Sequence, residues 1–166
     1  MTEEDGMTKL RINATIREMT NLIMENTQLL DIGNKGIAHK GTMANELKKL
    51  VEQRNGHYEG FDNEINAEEF GIDKKYDIIT CFEVLEHLNN PGLCLERVAL
   101  HLKEDGVFVM SVPNIKSLYH IMVPQTKYHL SCWDTKTLMT RLEKHFNMVT
   151  MKHINFGRTL FGVCRQ

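Results

Sequence analysis

The residues in this sequence most able to do chemistry are two glutamates and a histidine that lie close together in the chain. Glu83, Glu86 and His87 stand at positions i, i+3 and i+4. One helical turn would bring their side chains to the same face, about 5–6 Å apart. Carboxylates and imidazole together suit a divalent cation such as Mg or Mn, and a bound cation lowers the pKa of a hydroxyl group. The spacing therefore indicates a candidate metal site.

Two other interpretations of these residues stay open at this point. His87, or His129 further along the chain, could act as a general base without a metal, because an imidazole titrates near neutral pH. The Glu-Val-Leu-Glu-His segment could also be a structural turn, in which Glu86 and His87 are satisfied by local hydrogen bonds.

Alternating helices and strands must position these groups. Apolar residues at helical spacing predict helices over residues 8–25, 42–53, 93–102 and 135–145. Short apolar runs predict strands over 28–33, 57–62, 76–82, 106–112, 147–154 and 159–164, the last two joined by an Asn-Phe-Gly turn. This order predicts an α/β fold, with a mostly parallel sheet between helices and a C-terminal hairpin that adds one antiparallel strand.

Polar residues follow the first two predicted strands. Ligands of such a sheet bind beyond the carboxyl ends of its strands. Asp31, Gly33 and Gly36 follow the first strand, where glycine lets the backbone approach a ligand and adopt positive φ. Asp62 ends the second strand, and a carboxylate there suits hydrogen bonds to ribose hydroxyls. A tight turn without a ligand and a solvated aspartate are the alternatives.

The segment over residues 76–114, YDIITCFEVLEHLNNPGLCLERVALHLKEDGVFVMSVPN, resembles the class I S-adenosylmethionine-dependent methyltransferases. It matches their fourth strand, the Glu-Val-Leu-Glu-His signature, the following helix, an acidic-Gly turn and a fifth strand ending in Ser-Val-Pro-Asn. The resemblance implies a Rossmann-like sandwich made of a single domain over 1–166. Residues 29–166 would form its core, and 1–28 an N-terminal helix that either packs on the sheet or covers the cofactor cleft as a lid.

The resemblance also implies S-adenosylmethionine as the cofactor and assigns residues to its parts. The implied contacts are Asp31, Gly33, Asn34 and Gly36 with the methionine part, Asp62 with the ribose, Asn63, Asn66 and Ala67 with the adenine, and Cys81 and Phe82 near the sulfonium.

Two departures from the family pattern stand out. Asn34 and Lys35 interrupt the glycine-rich loop, and its third glycine is displaced to Gly41 or absent. The stretch over 63–75 is also too short for a complete crossover helix and a further strand. It predicts a sheet contracted after the second strand, with residues 64–67 as a vestigial strand.

A Glu-x-x-Glu-His segment followed by a distant His-x-x-x-Trp, here His129 to Trp133, resembles the metal-binding pattern of small-RNA 2′-O-methyltransferases. Its first part resembles ubiquinone-biosynthesis O-methyltransferases. In those families a divalent ion holds the acceptor hydroxyl. The resemblance thus implies Glu83, Glu86, His87 and His129 as metal ligands, and Glu86, His87 and His129 as the catalytic set.

Composition narrows the function further. The 166 residues carry 20 Lys and Arg against 22 Asp and Glu, a net charge of −2, which favours a small-molecule acceptor over nucleic acid. Apolar runs fall well short of a membrane span, and the acidic start does not resemble a secretory signal, so we expect a cytoplasmic protein. Four widely spaced cysteines predict reduced thiols.

Three functions follow from these observations. The first expectation is an S-adenosylmethionine-dependent methyltransferase that methylates a hydroxyl of a small molecule. The alternatives are a non-catalytic methyltransferase-like binding or partner subunit, which the irregular glycine loop would permit, and a metal-dependent RNA 2′-O-methyltransferase. Because the chain is short, a homodimer or a partner subunit is expected to help close the cleft.

Overall fold

A computed structural model of the chain describes residues 3–33, 42–61, 74–122 and 129–166. The helices are α1 (Glu3–Thr20), α2 (Thr42–Glu52), α3 (Pro91–His101), α4 (Leu118–Met122) and α5 (Thr135–Leu142). The strands are β1 (Gln28–Ile32), β2 (His57–Phe61), β3 (Tyr76–Phe82), β4 (Leu102–Pro113), β5 (Met148–Ile154) and β6 (Thr159–Arg165). A short 3-10 turn, Leu85–His87, follows β3.

The strands form one sheet in the order β2-β1-β3-β4-β6-β5. Neighbours from β2 to β4 are parallel, whereas β6 is antiparallel to both β4 and β5. This confirms the predicted mostly parallel α/β sheet with a C-terminal hairpin. Among the described residues β2 is an edge strand, in keeping with the contraction predicted after it, while the vestigial strand predicted over 64–67 lies outside the described residues.

Helices cover the sheet on both faces, so the core has two parts. On one face, α1 and α2 contribute Met19, Leu47 and Val51, which pack with Leu29 and Phe161. On the other face, a second cluster joins strand residues to α3, α5 and the segment before α5, through Leu30, Phe108, Leu95, Leu138 and Trp133. No helix of the described ranges is long and apolar enough to cross a membrane.

The first helix differs from its predicted bounds of 8–25. It ends at Thr20, and Asn26 beyond it has a positive φ of 59°. The apolar pattern nevertheless continues, since Ile23 is fully buried after the helix has ended. The spacing of apolar residues indicates which side chains are buried, not where a helix ends. Here the turn after α1 is also buried, so the apolar pattern continues past the end of the helix.

Candidate functional site

The carboxyl end of β1 carries a buried carboxylate. Asp31 accepts hydrogen bonds from Thr80 Oγ1 at 2.7 Å and from the Tyr58 hydroxyl at 2.7 Å. Thr80 is its register partner on β3, and Tyr58 lies on β2. Burial raises the pKa of Asp31 to about 6, although both hydrogen bonds oppose the shift. A carboxyl group with this pKa titrates just below physiological pH.

Gly33 directly follows β1 and packs against the turn after β3 that carries the glutamates. Its φ is +83°, a conformation that favours glycine, and its N–H donates to Phe61 O at 2.8 Å. A Cβ added to Gly33 would overlap with Cγ2 of Val84. The first glycine of the predicted cofactor loop therefore packs directly on the segment that leads into Glu86.

The other predicted cofactor residues divide into two groups. Asn34, Gly36, Asp62, Asn63, Asn66 and Ala67 lie outside the described residues. Cys81 and Phe82 end β3 as predicted. The Cys81 thiol is fully buried against Cys94 in the core, and the Phe82 ring stacks on Phe161. Any contact of Cys81 with a cofactor must therefore come from its backbone.

Glu83 lies in the sharp turn after β3. It has a φ of +56°, a rare conformation for a residue with a long side chain, and its N–H donates to Ser111 O at 2.9 Å. Its carboxylate receives Arg11 Nη1 of α1 at 2.7 Å and Ser111 Oγ at 2.9 Å. The prediction that Glu83 shares one helical face with Glu86 and His87 is wrong, because the helical turn begins only at Leu85.

Glu86, His87 and His129 come together beside this turn. One ligand atom from each lies within 4.8 Å of the others. The His87 and His129 rings meet edge to face, with centroids 5.0 Å apart, and His87 Nε2 lies 3.8 Å from Glu86 Oε1. The structure thus assembles three of the four predicted metal ligands, from segments about 40 residues apart in sequence.

Backbone hydrogen bonds hold His129 against Glu86. The N–H groups of Leu130 and Ser131 both donate to Glu86 O, at 2.8 and 3.1 Å. This double contact fixes the start of the 129–133 segment on the 3-10 turn. Trp133, the end of the His-x-x-x-Trp pattern, is itself 7% exposed in the core.

The cluster contains a buried carboxyl group, that of Glu86, with one oxygen that has no hydrogen-bond partner among the described residues. Glu86 is 2% exposed, and its Oε2 has no hydrogen-bond partner in the described part of the chain. Burial raises the pKa of Glu86 well above its usual range, and the nearby Glu83 carboxylate adds to the effect. Burial and the neighbouring His87 lower the pKa of His129, which favours its neutral form. A buried carboxyl oxygen without a partner calls for a proton or a cation.

Sequence reasoning missed four residues of this edge: Arg11, Tyr58, Thr80 and Ser111. Tyr58 and Thr80 lie on strands that flank β1, at or near the register of Asp31. Strand pairing could have indicated them once the sheet order was known. Arg11 had no such signal, because 72 residues separate it from Glu83.

Comparisons with known proteins identify the family of this chain. Residues 12–156 match the protein family described as a methyltransferase domain. The ubiquinone biosynthesis O-methyltransferase of Rickettsia conorii is 28% identical over 143 residues, which cover 77% of this chain and 49% of that protein. The protein of the same name from Rickettsia typhi is 31% identical over 101 residues, covering 52% and 41%. The chain spans about half the length, or less, of these curated relatives.

Solved structures share the fold at low identity. A SAM-dependent methyltransferase from Archaeoglobus fulgidus superposes with a TM-score of 0.69 at 16% identity, covering 99% of this chain and 95% of that one. A chain of the complex between the Haloferax volcanii Trm112 methyltransferase activator and a methyltransferase also gives 0.69, at 12% identity with 98% and 92% coverage. At identities this low, the superpositions establish the common fold alone.

Proposed function

The chain belongs to the class I S-adenosylmethionine-dependent methyltransferase family, and from that membership we propose that it methylates a hydroxyl group of a small molecule. The observation that carries the proposal is the cluster of Glu86, His87 and His129, which includes the turn after β3 whose Val84 packs on Gly33. The curated relatives are named O-methyltransferases, which supports oxygen as the acceptor atom.

The described part of the cofactor site fits the methyl donor. S-adenosylmethionine supplies a methyl group that its sulfonium has already activated, so the protein must chiefly bind and align the reactants. Asp31 offers a buried carboxylate, held in place by Tyr58 and Thr80. Gly33 adopts a positive φ and has no side chain, so a ligand can approach the backbone in the predicted cofactor loop. We assign the ribose to Asp62, and the remaining contacts to Asn34, Gly36, Asn63, Asn66 and Ala67 on the family pattern.

The same cluster fits a divalent metal. Glu86 presents a buried oxygen without a partner among the described residues, and the lowered pKa of His129 favours the neutral imidazole that binds cations through a ring nitrogen. Glu86, His87 and His129 would hold the ion, which would supply charge that polarises the acceptor hydroxyl and lowers its pKa. Glu83 is the fourth proposed ligand, and in this structure its carboxylate is occupied by Arg11 and Ser111.

Calorimetry on the full chain tests the two parts separately. S-adenosylhomocysteine should bind at micromolar concentration, and Asp31→Ala should weaken it. Mn²⁺ alone should bind the wild type, and Glu86→Gln or His129→Ala should weaken Mn²⁺ binding by more than the roughly 10- to 100-fold loss typical of outer-shell partners. Glu52→Gln and His57→Ala, both exposed and away from the cluster, are the matched controls.

The outcomes separate the hypotheses. Failure of the wild type to bind S-adenosylhomocysteine would reject catalysis and leave the partner-subunit function. Cofactor binding without Mn²⁺ binding would reject the metal. In that case His87 or His129 is the candidate base, and methyl transfer to catechol should then persist in the presence of a chelator.

A further inference from the structure

The sheet ends at β5, whose outer side has no partner strand among the described residues. The strand order places β5 beyond β6, and the backbone of β5 bonds only to β6 and to the turn that joins the two strands. This strand of seven residues therefore presents a row of N–H and C=O groups along its free side. Such a side accepts another strand, because main-chain hydrogen bonds supply the affinity.

The features that usually protect an edge strand are few in β5. Proline, bulges and several charges protect natural edges. The sequence of β5 has no proline, its register with β6 is regular from Met148 to Ile154, and Lys152 is its one residue among Lys, Arg, Asp and Glu. Lys152 Nζ lies 2.6 Å from Glu18 Oε2 of α1, so a carboxylate of the same chain balances this charge. The side chains of β5 therefore do not repel a second strand.

Exposed apolar side chains lie at both ends of β5. Met148, the first residue of the strand, is 61% exposed. Phe156, in the turn after the strand, is 87% exposed and has a φ of +56°, which a bulky residue rarely adopts. A second copy of the strand, running in the opposite direction, would bring these two ends together. This arrangement is typical of an isologous surface, in which one patch is complementary to itself.

We propose that β5 pairs with β5 of a second copy of this chain, antiparallel and about a two-fold axis at Met151. This register places Met148 opposite Ile154 and Thr150 opposite Lys152, so it joins two apolar residues and sets no like charges face to face. Pairing centred on Lys152 would oppose two lysines, and pairing centred on Thr150 would set Met148 against Lys152. The side chains of β5 therefore favour Met151 as the centre.

The geometry of this pairing limits the size and strength of the assembly. Two-fold pairing uses the free side of β5 in both copies, so the assembly closes at a dimer in which the six-stranded sheet is doubled. Seven residues a side are fewer than the roughly 20–30 of a standard interface. We therefore expect a dissociation constant in the micromolar range. The pairing uses no residue of the proposed cofactor or metal sites, so it stands independently of the proposed function.

Analytical ultracentrifugation of the full chain across micromolar concentrations tests the dimer. Thr150→Lys and Thr150→Glu put opposite charges at one exposed position, which the register sets against Lys152 of the second copy. Because the two-fold axis repeats this pair, Thr150→Lys should raise the dissociation constant, and Thr150→Glu should lower it, by roughly threefold to thirtyfold. Gln53→Lys and Gln53→Glu make the same charge changes at an exposed residue between α2 and β2, and should leave the constant unchanged.

A cysteine cross-link tests the register directly. In a Cys132→Ser background, which removes the exposed thiol, Met151→Cys should form a disulfide-linked dimer with oxidised glutathione, because residue 151 faces itself across the axis. Thr150→Cys faces Lys152 instead and should cross-link more slowly. A wild type that stays monomeric, or Thr150 variants that shift the dissociation constant no more than the Gln53 variants do, would overturn the proposal. Faster cross-linking of Thr150→Cys than of Met151→Cys would also overturn it.

Discussion

Replacing Gly33 by alanine tests the packing that joins the predicted cofactor loop to the glutamate turn. The substitution imposes two penalties. An L-residue must adopt a φ of +83°, and the new methyl group must share space with Cγ2 of Val84, a side chain that is 2% exposed. Because Val84 is buried under this turn, it has little room to move away.

The two penalties can be given magnitudes. A left-handed conformation costs a non-glycine residue about 1–2 kcal/mol, and overpacking a buried site costs about 1–3 kcal/mol. Gly33→Ala should therefore lower the free energy of unfolding by about 2–5 kcal/mol. For a chain of this length each kcal/mol lowers the melting temperature by about 2–4 °C. The expected loss is roughly 4–20 °C.

Gly157→Ala provides the matched control. Gly157 has nearly the same φ, +80°, but a Cβ added there meets nothing within 4 Å. Its alanine variant should pay the conformational penalty alone, a loss of about 1–2 kcal/mol. Urea denaturation followed by circular dichroism measures both variants, and their difference isolates the contact with Val84. Equal losses in the two variants would refute the packing described here.

Three further predictions concern charge and strain. Asp31→Asn should remove a pH dependence: in the wild type the folded carboxyl, with a pKa raised to about 6, keeps its proton where the unfolded chain, near 3.8, loses it. The free energy of unfolding of the wild type should thus fall by about 2 kcal/mol between pH 4 and pH 6 relative to that of the variant. Urea denaturation at a series of pH values measures this, and the same pH dependence in wild type and variant would contradict it. Arg11→Met should lower the free energy of unfolding by less than about 1 kcal/mol, since its pair with Glu83 is partly exposed. The same variant should bind Mn²⁺ more tightly in calorimetry, because the substitution removes a cation and frees the Glu83 carboxylate. Lys9→Met on the same helix is the control, and equal Mn²⁺ affinities would count against the idea. Phe156→Gly should raise the melting temperature by about 2–4 °C through relief of the left-handed backbone, and a lower melting temperature would show that the exposed ring stabilises the fold.

The order of the helices and strands could be predicted because the spacing of apolar residues and the residue types in turns depend only on nearby residues. The alternation of buried strands and amphipathic helices gave the α/β sheet, and the Asn155–Gly157 turn gave the hairpin. Strand ends near Ile32 and Phe82 placed Asp31 and Glu83 at the carboxyl edge. These inferences need only neighbouring residues.

The details of the site depend on contacts that local patterns do not carry. The prediction from the spacing of Glu83 and Glu86 assumed one continuous helical turn. Glu83 itself adopts a left-handed conformation, however, so the turn does not include it, and its carboxylate pairs with Arg11. Phe156 gave no signal either, because a left-handed position normally shows Gly or Asn. The pairing of His129 with Glu86 follows from backbone hydrogen bonds between distant segments. Long-range packing decides each of these features.

The position of β6 between β4 and β5 has a consequence for how this fold is completed. Strand β4 is the longest in the sheet, and along 107–113 its partner on one side is β6. Until residues 159–165 have been synthesised, that side of a strand rich in valine offers unpaired N–H and C=O groups to any other chain. Because β5 pairs with β6 through a local turn, the hairpin can form first and then dock as a unit. We therefore expect truncation after residue 146 to yield an aggregating chain, and the hairpin to act as the cover that keeps the nascent protein from associating with itself.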